Sequence, residues 1–201
     1  MESSVNTDCL IYDHRVPRTP LLRTGRLILR RWQHGDREPF AAMNADPEVM
    51  EHFPATMTRD ESDALIDKIE AGFGERGFGL WALEIAENGQ FIGFTGLSVP
   101  SFAAHFTPSV EIGWRVGRSS WGHGYASEAA RRALSFAFDE IGLREVVSFT
   151  STTNIRSQTV MQRIGMTYDP VDDFDHPLLN EGHPQRRHVL WRMSTETWRA
   201  R

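Results

Sequence analysis

The sequence predicts a mixed α+β fold, in which a central, mostly antiparallel twisted sheet contains one parallel strand pair and is flanked by helices. Three observations point there. Segments with helical signals come early, two extended runs joined by a hairpin signal follow, and a single strand–helix–strand unit fills the second half. Such a unit needs a crossover, so it places one parallel pair inside the sheet.

Residues 1 to about 20 are polar, hold Pro17 and Pro20 and show no sustained period, which reads as a tail. The remainder, 21–199, reads as a single domain. Residues 26–31 are expected to form the first strand. Asp36 to about Asn44 and Asp46 to about His52 are expected as short helices, the second with Asp46 as its cap and Pro47 at the favoured first position. A longer helix is expected from Asp60 to about Phe73, capped by Thr58 or Asp60, with Leu65, Ile66 and Ile69 as its apolar stripe. Residues 79–85 and 91–97 flank Glu87-Asn-Gly-Gln90, whose Asn-Gly pair signals a hairpin.

Val110 to Val116 is a further extended run that stops at a glycine-rich corner, and a long helix is expected from there to about Ile141. Ala126, Ala129, Ala130, Ala133, Ala137 and Ile141 keep one face of that helix small or apolar for packing on the sheet. Residues 145–150 read as a strand and Asn154 to about Ile164 as a helix. Two closing strands, near 166–168 and 187–193, bracket an acidic loop.

The chain of 201 residues has 40% hydrophobic and 24% charged residues, as ordinary globular proteins do, and a formal net charge of −5. That charge argues against general nucleic-acid binding, which depends on phosphate neutralisation by Lys and Arg. Cys9 is the only cysteine, so no internal disulfide and no thiolate metal cluster can form, and no metal is expected. No apolar run approaches the ~18 residues that would mark a membrane span. The first residues lack the basic-then-apolar order of a signal peptide. A cytoplasmic protein without a membrane partner is the expectation.

The corner, Trp121-Gly-His-Gly-Tyr125, carries the most chemical information. Strand, then Gly-x-Gly, then helix aims several unpaired backbone N–H groups and a helix dipole at one point, which suits an anion, usually a phosphate. It lacks the Gly-Lys-Ser/Thr ending of a P-loop and the third glycine of the dinucleotide fingerprint.

Context narrows the phosphate. The corner is preceded by Glu111-Ile-Gly-Trp114 and followed by Asn154-x-x-Ser157, Ile164-Gly-Met166 and His188-Val-Leu-Trp-Arg-Met193. With Thr19-Pro-Leu-Leu-Arg-Thr-Gly-Arg-Leu-Ile-Leu-Arg30 at the front, this series resembles the GCN5-related N-acetyltransferase superfamily, in its ribosomal-protein (RimJ/RimL-like) branch, over about residues 21–199. The resemblance implies acetyl-CoA as cosubstrate and direct transfer of its acetyl group to a primary amine, either a protein N-terminal α-amine or a small amine. It also implies that the parallel strands splay apart to admit the cofactor arm, and it makes a homodimer an option. A non-catalytic acyl-CoA-binding module is the alternative reading.

On this resemblance Ser119, Ser120, Gly122, His123, Gly124, Tyr125 and Ala126 would offer backbone N–H groups to the pyrophosphate, beside Trp121 in the same loop. The strand end at Val116 would supply a backbone donor. Asn154 would touch the cofactor arm, or act simply as a helix cap. The family usually begins this loop with Gln or Arg where this chain has Ser119, and Arg118 stands one residue too early.

Glu111 is the candidate general base, because a carboxylate on a central strand requires a reason. An ion pair with Arg115 on the same strand face is the structural alternative. Ser157 is the candidate hydroxyl near the leaving sulfur, or else a polar residue of a first helical turn. His123 is placed with the phosphate loop rather than as the base. The four aspartates of Asp169-Pro-Val-Asp-Asp-Phe-Asp175 would steer a cationic acceptor or form a solvated loop. Most of Trp32, Trp81, Trp114, Trp121 and Trp191 are expected in the core, with one or two left to line the acceptor slot.

Overall fold

The computed structural model describes residues 20–201; the tail expected over 1–20 and Cys9 within it fall, apart from Pro20, outside that range. Among the described residues nine strands form one sheet: β1 (Leu22–Arg23), β2 (Leu27–Arg30), β3 (Leu80–Ile85), β4 (Phe91–Ser98), β5 (Glu111–Val116), β6 (Glu145–Ser151), β7 (Thr167–Tyr168), β8 (Phe174–Asp175) and β9 (Arg187–Ser194). Their order is β1-β2-β3-β4-β5-β6-β9-β7, with β8 also paired to β9. Every pair is antiparallel except β5 with β6, as the lone strand–helix–strand unit requires.

The helices are α1 (Arg37–Ala45), α2 (Arg59–Arg76), α3 (Tyr125–Ser135), α4 (Ile155–Arg163) and α5 (Thr195–Arg199). Thr58 caps α2 in a reciprocal box with Glu61: the Glu61 amide donates to the Thr58 hydroxyl, and the Thr58 amide donates to the Glu61 carboxylate at 2.8 Å. Ile66 and Ile69 are buried as their spacing predicts, and Leu65 is partly buried. Ala129, Ala130, Ala133 and Ala137 are fully buried, so the small face of α3 lies flat on the sheet. A π-helical turn over Phe136–Glu140 prolongs α3 and drives Phe136 edge-on against Trp81, with ring centroids 5.3 Å apart. Phe40 and Phe94 meet Trp32 in the core between α1 and β4. Such aromatic pairs add roughly 0.5–1.5 kcal/mol each beyond the area they bury.

The helix expected over Asp46–His52 is not formed. Asp46 instead ends α1 in an extended conformation, and its carboxylate accepts from the Glu48 amide at 2.9 Å. One α-type turn, Met50 N–H to Asp46 C=O, and a tighter one, Phe53 N–H to Met50 C=O, close before Pro54. The Asp46–Glu48 bond is the one an N-cap makes to the second helical residue, so Asp46 and Pro47 open a turn as expected; Pro54, which disfavours the helical conformation at Phe53 and has no N–H to donate, ends it. The resulting loop folds over one end of β5.

Candidate active site

The corner after β5 is built on two glycines. Gly122 and Gly124 both have φ +78°, a left-handed conformation that would cost another residue about 1–2 kcal/mol. Among the described residues the amides of Gly122, His123, Gly124, Tyr125 and Ala126 have no carbonyl or side-chain acceptor. They converge at the positive end of α3. Trp121 anchors the corner by donating its indole N–H to the Val116 carbonyl at 2.7 Å.

A cavity of about 690 Å³ runs from this corner between β5 and β6 to the loops at the far side. It exists because the parallel pair separates. The Val147 amide donates to the Val110 carbonyl at 2.9 Å and the Ser148 hydroxyl to the Ile112 carbonyl at 2.8 Å. Among the described residues no bond joins β5 to β6 beyond Ile112, so the edges of residues 113–116 and 149–151 diverge.

Glu111 lies where the two strands separate. The Ser98 hydroxyl donates to its Oε2 at 3.2 Å, and burial pushes its carboxyl up to about 7 against the opposing effect of that bond. Desolvation disfavours the charged form, so this acid exchanges its proton near neutrality. The alternative reading, an ion pair with Arg115, is not formed: Arg115 donates from Nη1 to Asn44 Oδ1 at 2.6 Å. Its guanidinium lies over the Phe53 ring at 4.1 Å and faces Phe94 at 5.4 Å. On a strand, residues four apart lie roughly 13 Å from each other, too far for these two to meet across an intervening glycine.

At the opposite wall His176 and His188 stand 5.0 Å apart between ring centroids, packed with Phe149 and Phe174. Burial lowers both imidazoles, His188 to about 4, so both are neutral at physiological pH.

The structure brings Glu111, Val116, Ser120, Trp121, Gly122, Gly124, Tyr125, Ala126, Asn154 and Ser157 to the walls of this one cavity. It does not bring Ser119, which faces a separate cleft beside Pro39 and Gln90. His123 is exposed, stacks on Tyr125 at 5.4 Å and lies outside the cavity wall. Asn154 is committed as a cap, accepting from the Ser157 amide at 3.1 Å and donating to the Thr150 hydroxyl at 2.9 Å. The acidic loop is neither a bare steering surface nor simply solvated. Asp172 pairs with Arg192 at 2.7 Å, Asp175 with Arg187 at 3.3 Å, Asp173 accepts from the Tyr168 hydroxyl, and Asp169 accepts from the Val171 amide. Trp32 and Trp81 are core residues, whereas Trp114 and Trp121 line the cavity.

The model of the acetyltransferase (GNAT) domain matches residues 26–167. The chain belongs to the GNAT acetyltransferase family. A curated relative from Aspergillus fumigatus, named FsC-acetyl coenzyme A-N(2)-transacetylase, is 37% identical over 156 residues, which span 74% of this chain and 66% of that protein. Among solved structures, a GNAT-family acetyltransferase from Bacillus anthracis superposes with a TM-score of 0.73 at 22% identity, covering 88% of this chain and 99% of the other. An acetyltransferase from Agrobacterium tumefaciens superposes with a TM-score of 0.71 at 28% identity, covering 87% and 94%.

As a GNAT acetyltransferase, the chain is an acetyl-CoA-dependent acyltransferase, and the donor set fits that cosubstrate. The free amides of residues 122–126 suit a pyrophosphate, and the unpaired β5 edge suits an extended amide chain. A basic side chain that the sequence reading missed completes the set. Arg156, inside Asn154-x-x-Ser157, lines the cavity with its guanidinium 4.3 Å from the Trp121 ring and has no acidic partner among the described residues. It lies beside Trp121 in the main cavity, whereas Ser119 faces the separate cleft. Arg118 cannot serve, because it is paired with Glu48.

Proposed function

We propose that the protein transfers the acetyl group of acetyl-CoA to a primary amine by direct attack, with Glu111 as general base. The observation that supports this reading is the Glu111 carboxyl, with its pKa near neutrality, set where β5 and β6 part. An acceptor arrives as an ammonium. Glu111, directly or through water, removes one proton, and the amine lone pair attacks the thioester carbonyl. Collapse of the tetrahedral adduct expels the CoA thiolate, which takes up the proton that the adduct nitrogen gives up, and the neutral acetamide is left. The hydroxyl of Ser157, a residue of the cavity wall, is the group assigned to the sulfur. Backbone N–H groups of the free β5 edge, Val116 included, are assigned to the oxyanion. A base near 7 is well matched to an α-amine near ~7.8 and poorly matched to a lysine near ~10.4.

Family membership and the titratable Glu111 favour transfer over a module that only binds acyl-CoA. The two separate in one assay. Glu111→Gln is expected to lower kcat by about 10²-fold or more while CoA affinity stays within twofold. Thiol release that is absent from wild type across a panel of amines and N-terminal peptides, with CoA still bound, would instead establish the binding module.

A further inference from the structure

Arg115 is a buried guanidinium, 8% exposed, on the wall of the cavity. Among the described residues it has no carboxylate partner; Asn44 takes Nη1, and Nε is buried with no acceptor at all. A buried cation normally requires a counter-charge, and an unmet N–H costs about 1–3 kcal/mol. Its faces are occupied by Phe53 and Phe94, so what remains unmet is the planar donor edge, the part that recognises a carboxylate.

The same face of β5 carries Glu111, then Gly113, then Arg115. A Cβ on Gly113 would meet nothing but Glu111 Oε1, at 3.8 Å, within 4 Å. The glycine therefore leaves an open notch between an acid and a base that do not touch. The cavity wall is otherwise poor in acid: Glu48 is paired with Arg118, while Arg156 and Arg163 add positive charge near the corner. That balance suits neither a polycation nor a bare alkylamine.

We propose that the acceptor is an amine that also carries a carboxylate, held across the Gly113 notch with its amine at Glu111 and its carboxylate on the free edge of Arg115. The proposal rests on the acetyl-transfer reading for the role of the amine, whereas the carboxylate anchor is read from Arg115 itself. Glu111 and Arg115 stand four residues apart on one strand with the guanidinium turned to Asn44, so an acceptor that engages both needs several bonds between its charged ends, as in a short peptide, and not the two of a simple α-amino acid. Arg115 is then the residue that selects the acceptor.

The test is calorimetric binding to CoA-saturated protein of the dipeptide Phe-Gly, its C-terminal amide and spermidine, with thiol release from acetyl-CoA measured on the same three. Wild type is expected to bind the dipeptide more than tenfold tighter than its amide and tighter than spermidine. Arg115→Gln is expected to erase the preference while CoA affinity holds, and Arg115→Lys to restore part of it. Equal or better binding of the amide or spermidine to wild type overturns the proposal, and needs no variant to fold. Loss of CoA affinity in Arg115→Gln with the dipeptide preference intact also overturns it, by placing the guanidinium on the cofactor. Preference for the dipeptide without thiol release removes the transfer reading and leaves the anchor standing.

Discussion

The Ser98 hydroxyl donates to Glu111 Oε2 across 3.2 Å, from directly opposed positions on β4 and β5. Among the described residues it is the one hydrogen bond to this carboxyl, and it opposes the upward push of burial. Ser98→Ala is therefore expected to move the Glu111 carboxyl further up, because the ionised form loses its donor. The acid limb of the kcat/KM profile should shift to higher pH; an unmoved limb would detach Ser98 from the titrating group.

Stability should carry the same signature. The Glu111 carboxyl is raised from 4.5 in the unfolded chain to about 7 in the folded one, so between those values the folded state holds a proton that the unfolded state has lost. Stability from this group is full below the unfolded pKa and is lost as pH rises through that window, by an amount of order 3 kcal/mol. Glu111→Gln should flatten the fall. Urea midpoints from pH 4 to 8 check the sign, which would be reversed for a salt-bridged carboxylate.

At the corner, Gly124 is required by its backbone conformation. An added Cβ would meet only Arg26, at 3.7 Å, so space is available, but φ +78° is not open to other residues without strain. Gly124→Ala is expected to weaken CoA binding by tenfold or more by turning the loop amides away from one another. Unchanged affinity would place the pyrophosphate elsewhere.

Arg156 lies over Trp121 on the cavity wall, beside the corner assigned to the pyrophosphate. Arg156→Ala is expected to reduce CoA affinity several-fold, more at low salt than at high, with the acceptor KM unchanged. An effect on the acceptor alone would assign Arg156 to the other half of the cavity.

Much of this was legible in the chain. The hairpin at Asn88-Gly89, the alanine face of α3 and the parallel pair follow from local chemistry and period, and the structure shows each. What stayed hidden depends on distant neighbours. The separation of Glu111 from Arg115 required knowing that Asn44, seventy-one residues earlier, occupies the guanidinium. The aromatic–imidazole wall of Phe149, Phe174, His176 and His188 is assembled from three separate segments, none of which signals it alone.

Glu111 is proposed as the base of an acetyl transfer. The most direct test of that role is the pH dependence of kcat/KM for wild type and Glu111→Gln with one competent amine under saturating acetyl-CoA. Wild type should show an acid limb near 7, and the variant should be at least about 10²-fold slower with that limb gone. A variant that keeps the wild-type limb would contradict the account.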